Sequence, residues 1–393
     1  PPPPAPPPPP PPTPPTRPPA PAARRRVWWS ALPTLSRAFG RSLPPPSACP
    51  SPPASGGCSR WTTRCCGACG GCGTARPRAA AAAAARSLSA AAAGGDFDIK
   101  RVGVIGMGLM GHGIAQAAAQ SGFTVVAADA NADAAAKGAA AIDKSVSGLL
   151  GKAVAKGKMG QEDADKEREA VLGRITTSSD MGAVADCDIV VEAIIEDLEI
   201  KRGFWRDMGG IVQPSAIFAS NTSSFRIELM AEVSGRGDRF VGLHFFNPVQ
   251  LMKLVEVVRT PLTSDAAFDA AMAFGRALGK EAVACKDTPG FVVNRLLVPY
   301  LAQAILLLER GDASADDIDA AMRFGAGHPM GPITLADYVG LDTSLYILEG
   351  WVRDYPGEAA FVVPDILRRK VAEGKLGRKS GEGFFKWDGN KRA

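Results

Sequence analysis

Acidic residues are missing altogether from the first 95 positions of this 393-residue chain, and so is lysine. The same stretch holds 11 arginines and 24 of the 33 prolines. The formal net charge of +5 is therefore +11 in this leader and −6 in the 298 residues that follow. The basic balance belongs to the leader, and it makes no case for a nucleic-acid-binding body. A run of about eighteen uncharged apolar residues is nowhere to be found, which excludes an ordinary membrane-spanning helix. Cysteine is scarce where a core can form. Cys49, Cys58, Cys65, Cys66, Cys69 and Cys72 lie in the leader, and only Cys187 and Cys285 follow it. Two thiols so far apart imply no disulfide framework, so the body suits a reducing compartment.

Residues 1–22 are nearly all proline with Ala, Thr and one Arg, a composition that favours extended polyproline II and cannot build a packed core. Arg24, Arg25 and Arg26, the pair Trp28-Trp29, a Ser/Pro/Gly/Cys tract and an alanine run with Arg86 complete the segment. Rich in arginine and serine and free of acid, it reads as an organelle transit peptide, mitochondrial by first choice and plastid by second. Cys66, Cys69 and Cys72 repeat a CxxC spacing, but no His follows and no core pattern flanks them. No metal site is expected there.

At Arg101 the composition changes. Val102 to Ile105 is a short apolar strand, and Gly106-Met-Gly108-Leu-Met-Gly111 follows at once. A helical run from His112 to Gln120 reaches Gly122 as a C-cap, and a second strand, Phe123 to Ala128, ends in Asp129. Gly106 allows the tight turn, Gly108 lets the backbone approach a pyrophosphate, and Gly111 lets the helix pack on the strand. The helix start offers free N–H groups to phosphate. Asp129 would accept the adenosine ribose hydroxyls and repel a 2′-phosphate, which favours NAD over NADP. Helical patterns over Ala130–Gly157 and Glu162–Leu172 come next, with Lys152, Lys156 and Lys158 where the first ends. Further strands are read at 189–193, 216–220, 241–245 and 253–258. Strands alternating with helices predict a doubly wound sheet, with ligands at the carboxyl ends of its strands.

The chain has three histidines. His112 sits in the first turn of the phosphate-loop helix and His328 in a Gly/Pro-rich turn, so both read as structural. His244 instead lies in an apolar strand directly before Asn247-Pro248. Twelve residues on, Glu256 stands among Leu254, Val255, Val257 and Val258. If the Asn-Pro turn folds that strand back, the carboxylate meets the imidazole. A buried Glu then gains a partner, and the pair forms a general base for an alcohol proton. The alternative is a core His and an edge Glu that never meet. Ser220-Asn-Thr-Ser-Ser224 offers hydroxyls at a strand end, or an N-cap for the helix suggested at 227–231. Asn294 opens a mostly helical second half, where Leu296, Leu297 and Met330 read as core.

These motifs together resemble the L-3-hydroxyacyl-CoA dehydrogenase family, including its 3-hydroxybutyryl-CoA type. The resemblance spans about residues 99–388. It rests on the glycine turn, Val191-Glu-Ala-Ile-Ile-Glu196, the 220–224 segment, His244-Phe-Phe-Asn-Pro248, Lys253-Leu-Val-Glu256, Asp287-Thr-Pro-Gly-Phe-Val-Val-Asn-Arg295 and Lys379-Ser-Gly-Glu-Gly-Phe384. It implies an α/β fold, a Rossmann-type doubly wound sheet over 98–286, followed by a smaller all-α domain over 287–393, behind a leader at 1–95. It implies NAD-dependent, reversible oxidation of an L-3-hydroxyacyl-CoA, in fatty-acid β-oxidation or short-chain hydroxybutyryl-CoA metabolism. His244 is then the base and Glu256 its orienting partner, with Ser223, Asn247 and Asn294 along substrate and nicotinamide. Glu196, Lys201 and Lys379 match positions that contact NAD, and Asp129 matches the ribose acid. Ser145 and Lys158 are expected at coenzyme A, and the helical domain is expected to form a homodimer interface. Two rivals stand beside it. One is a relative of the 6-phosphogluconate and 3-hydroxyisobutyrate dehydrogenases, which use a lysine for which residues 270–300 offer no equivalent. The other is a non-catalytic protein on the same fold.

Overall fold

The computed structural model describes residues 98–393, so the leader and the Cys66–Cys72 repeat lie outside the described residues. β1 (Arg101–Ile105) leads through the glycine turn into α1 (Gly111–Gln120) and β2 (Thr124–Ala128). Asn131 starts α2 (Ala132–Ala155) by accepting hydrogen bonds from the N–H groups of Asp133 and Ala134, a cap for free helix donors. α2 packs against α3 (Gln161–Gly173), which delivers the chain to β3 (Ile175–Ser178). β4 (Ile189–Glu192), α4 (Leu198–Ile211), β5 (Ile217–Ser220), the single turn α5 (Glu228–Ala231) and β6 (Phe240–Phe245) continue the pattern. β7 (Leu254–Arg259), α6 (Asp265–Ala277) and β8 (Glu281–Lys286) complete it.

The eight strands form one sheet in the order β3-β2-β1-β4-β5-β6-β7-β8. Neighbours are parallel as far as β6, β6 and β7 are antiparallel, and β7 and β8 are parallel again. The reversal follows from chain length. Only residues 246–253 join β6 to β7, too few for a parallel crossover. β1 lies between β2 and β4, so the strand order changes direction beside it and a crevice opens at the carboxyl ends.

Apolar residues cover both faces of the sheet. Ile114, Val191 and Leu243 belong to one buried cluster. On the other face Trp205 is fully buried, with its ring 4.7 Å from Phe218 and 4.8 Å from Phe240. Each such aromatic pair adds about 0.5–1.5 kcal/mol beyond area burial, which locks α4 onto β5 and β6. The remaining helices are α7 (Val293–Glu309), α8 (Ala315–Gly325), α9 (Pro332–Val339), α10 (Leu341–Asp354) and α11 (Asp365–Ala372). They share a core that includes Val298, Ile305, Leu348 and Trp351. Among the described residues no helix is long and apolar enough to cross a membrane.

Two sequence expectations change. β3 and β8 join the sheet, although neither reads as a strand in the sequence. Both are edge strands, only half-buried, and lack the apolar run of the central ones. Leu296 is not core but 69% exposed, because it lies on the outer face of α7, and Leu297 and Met330 are half-buried. Cys187 and Cys285 are both free thiols.

Candidate active site

The crevice begins at the glycine turn. Gly106 has φ +91°, and a Cβ there would meet the Ala193 carbonyl at 2.6 Å. A Cβ on Gly111 would lie 1.6 Å from the Gly106 carbonyl oxygen, so only glycine lets α1 start this close to β1. Gly108 differs, because nothing lies within 4 Å of its missing Cβ. That open backbone, at the start of a helix, is a cradle a phosphate can approach. Asp129 Oδ2 accepts from the Met107 N–H at 2.8 Å and Oδ1 from the Asn131 N–H at 2.9 Å, which holds the acid beside the turn. The residues present fit a dinucleotide: glycines for the pyrophosphate, helix N–H groups for its charge, and an acid at the end of β2. His112 stays local, its Nδ1–H donating to the Gly108 carbonyl at 2.7 Å.

At the far side of the crevice, the antiparallel register pairs His244 directly with Glu256. The Asn247-Pro248 turn does fold the strand back. Nδ1 of His244 donates to Glu256 Oε2 at 2.7 Å, and Nε2 lies 2.8 Å from the Ser223 hydroxyl. The other oxygen of Glu256 accepts the N–H groups of Val292 and Val293, at 3.1 and 2.8 Å, where α7 starts. Burial by itself pushes the Glu256 carboxyl up. The hydrogen bonds from His244 and Val293, the imidazole's charge and the Val292 N–H outweigh it and hold the group below its ordinary value. The rings of Phe246 and Phe291, 4.6 and 5.4 Å from that of His244, enclose the imidazole.

The loop that carries Ser223 is tied down from three sides. Asn221 Oδ1 accepts from the Phe245 N–H at 2.8 Å. Glu196 accepts from the Thr222 hydroxyl at 2.6 Å and from the N–H groups of Ser223 and Ser224 at 3.1 and 3.2 Å. Behind Glu196, Lys201 is 1% exposed and bridges Glu192, 2.5 Å away, to Glu196 at 3.1 Å. Glu192 in turn accepts from the Ser220 hydroxyl at 2.7 Å. Lys280 secures the turn after Asn247, donating to the Val249 and Met252 carbonyls at 2.5 and 2.7 Å, and burial pushes its pKa down.

A cavity of about 960 Å³ runs between these groups. Ser223, His244, Asn247, Asn294 and Glu196 line it, together with the exposed apolar side chains of Leu109 and Ile195. Other expected residues stand elsewhere. Lys201 is beneath the cleft wall. Lys379 pairs at 2.6 Å with Asp342, which does line the cavity. Ser145 is half-buried within α2, and Lys158 is exposed in the turn after it; neither borders this cavity. Sequence reasoning missed Glu192, Asn221 and Lys280 as supports. Glu192 carried a signal, a carboxylate at the end of an otherwise apolar strand.

Residues 101–288 match the family model described as "3-hydroxyacyl-CoA dehydrogenase, NAD binding domain", and residues 290–387 match the C-terminal domain of the same family. The chain belongs to the 3-hydroxyacyl-CoA dehydrogenase family. Among its relatives is a mitochondrial hydroxyacyl-coenzyme A dehydrogenase of Sus scrofa, 49% identical over 76% of this chain and 95% of that protein. A probable 3-hydroxybutyryl-CoA dehydrogenase of Deinococcus radiodurans is 48% identical over 73% of this chain and all of that one. The crystal structure of (S)-3-hydroxybutyryl-CoA dehydrogenase from Ralstonia eutropha matches with TM-score 0.69 and 40% identity, covering 74% of this chain and 99% of that one. Membership makes this chain an oxidoreductase of 3-hydroxyacyl-CoA substrates with NAD as cofactor.

Proposed function

We propose that the chain interconverts L-3-hydroxyacyl-CoA and 3-ketoacyl-CoA with His244 as the general base. The observation that carries this is the line from Glu256 through His244 to Ser223 at the mouth of the cleft. A carboxylate on Nδ1 keeps the proton there, so Nε2 holds the lone pair. Nε2 is then the atom to which the C3 hydroxyl proton moves, and Glu256 stabilises the imidazolium that results. Bound NAD supplies the two-electron acceptor for the hydrogen leaving C3. Ser223 shares the substrate oxygen with Nε2. Among the described residues the side-chain amides of Asn247 and Asn294 make no hydrogen bond and both line the cavity, which leaves them free for the thioester and the reacting oxygen. Asp129 takes the ribose hydroxyls, and Glu196, Lys201 and Lys379 keep their assignment to the cofactor. Ser145 and Lys158 keep their assignment to coenzyme A, on the arm formed by α2 and the turn that follows.

In this reading residues 1–95 are a removable leader, 98–286 the nucleotide domain and 287–393 the substrate domain. The outer face of α7, where Leu296 and Leu307 are exposed, supports a homodimer contact. Relatives named as mitochondrial support that compartment for fatty-acid β-oxidation or short-chain hydroxybutyryl-CoA turnover. The test mixes the full chain with NADH and acetoacetyl-CoA, then longer 3-ketoacyl-CoAs, and follows nicotinamide absorbance. Rapid loss is expected with NADH and little with NADPH. NADH binding without turnover on any chain length would overturn the reading, and a preference for NADPH would overturn the role of Asp129. A fusion of residues 1–97 to a fluorescent protein tests the address by its import into mitochondria or plastids.

A further inference from the structure

We infer that Phe291 is a positioning residue: its left-handed backbone aims two N–H groups at Glu256, and its ring holds the His244 imidazole in place. The inference deepens the reading of the site given above and rests on it for its kinetic part. Phe291 has φ +52° and is the one non-glycine residue with positive φ among the described residues. Side chains other than those of Asn and Asp rarely adopt that region, and for a bulky one it is a strained outlier. Such strain persists only where the surroundings fix it.

The surroundings of Phe291 do so. Asp287 anchors the segment by accepting the N–H groups of Ile227 and Glu228, both at 2.9 Å. The Phe291 N–H donates to the Thr288 carbonyl at 3.0 Å and closes a turn through Pro289 and Gly290. Gly290, at φ +72°, has no room for a side chain, because a Cβ would stand 2.5 Å from the Trp351 ring. The Arg295 N–H bonds the Gly290 carbonyl at 3.0 Å, so the helix begins directly after the kink. Val292 is already back at φ −109°. A left-handed residue followed by a right-handed one points successive N–H groups to one side, an arrangement that suits an anion. The anion is Glu256, whose Oε1 accepts from Val292 and Val293 at 3.1 and 2.8 Å while Oε2 holds His244. The Phe291 ring is 5% exposed, lies 5.4 Å from the imidazole and does not border the cavity. It reaches the reaction only through the Glu256–His244 pair, where a displacement of about 1 Å can cost roughly 10²-fold in rate.

The test uses the full chain with F291A, F291G and F291A/E256Q. At an ordinary position glycine is less stable than alanine. Here F291G should be the more stable variant, its folded-to-unfolded ratio in urea at least about threefold above that of F291A. Amide exchange of Val292 and Val293 should be at least about tenfold faster in F291A than in F291G. Neither readout needs turnover, so both hold even if the assignment of the reaction fails. With acetoacetyl-CoA and NADH, kcat should fall by about 10-fold to 10²-fold in F291A and recover at least about threefold in F291G. The NADH dissociation constant should move less than about threefold in either. F291A/E256Q should lose little beyond E256Q alone, because both break one chain of contacts. Where F291A folds poorly, F291L, which keeps most of the buried volume, carries the same cycle with E256Q. An F291A protein as stable as F291G, or with Val292 and Val293 equally protected, would show that no strain is held there. Losses from F291A and E256Q that multiply in full would make Phe291 ordinary core packing. Either result overturns the inference.

Discussion

Glu256→Gln separates geometry from charge at the centre of the site. Each carboxylate oxygen is an acceptor, Oε2 for His244 Nδ1–H and Oε1 for the N–H groups of Val292 and Val293. A glutamine offers one acceptor and one donor. If its oxygen stays under α7, its NH₂ faces Nδ1 and forces the proton to Nε2, the wrong tautomer for a base. If it flips, donor meets donor at the helix start. Both arrangements break a charge-assisted, buried hydrogen bond worth about 1.5–3 kcal/mol, and the first removes general-base catalysis worth about 10²–10⁴-fold. The expected outcome is a kcat loss in that range with NADH binding retained, and a lower Tm. Acidity adds a second handle. The folded carboxyl is held below its ordinary value of 4.5, so the ionised group stabilises the fold above that pH. The contribution is lost as pH falls below 4.5 through the folded value, so the stability gap between wild type and variant narrows there. NADH oxidation with acetoacetyl-CoA gives kcat, and urea unfolding between pH 3 and 7 gives the gap (conditions of roughly this range follow from the linkage relation). Wild-type turnover with an unchanged Tm would refute the assignment of both oxygens.

Two neighbouring glycines should respond in opposite ways. Gly108→Ala has room for its methyl and should keep Tm while weakening NADH binding at least about tenfold, whereas Gly111→Ala collides with the Gly106 carbonyl and should lower Tm as well; calorimetry and NADH fluorescence titration read both. Asn294→Ala removes a side chain that bonds no other described residue, so it should leave Tm unchanged and raise KM for acetoacetyl-CoA or lower kcat in steady-state assays. Arg236→Met deletes bonds to the Gly209, Val212 and Gln213 carbonyls, together with a guanidinium stacked 4.3 Å over Phe218. It should cost about 2–4 kcal/mol in urea unfolding and leave the NADH dissociation constant alone.

What was legible in the sequence has a common physical origin. The glycine turn, the acid after β2 and the His–Glu pair each sit in or beside short apolar strands, where alternation and strand ends dictate position before any tertiary contact is known. Register then follows almost of itself, because so few residues join β6 to β7 that they must run antiparallel, and His244 and Glu256 fall opposite each other. β3 and β8 escaped because edge strands need no apolar run. The burial of Lys201 escaped for a deeper reason. In the sequence it stands beside Arg202 in a charged helical stretch, and only the resemblance singles it out, as a match to a position that contacts NAD. Its burial is decided by Glu192 on another element, and a lone buried ammonium would be ruled out by desolvation. Only the pair is stable there, and although Glu192 at the end of an apolar strand hints at a partner, nothing in the sequence says that the partner is Lys201. The same holds for Asp337, whose buried carboxylate collects the Phe384 and Phe385 N–H groups and the Trp387 indole. Burial pushes that carboxyl up, against the pull of those donors. Contacts that require two partners to be buried together are invisible to a reading that proceeds one residue type at a time, and the supports of this site are of that kind.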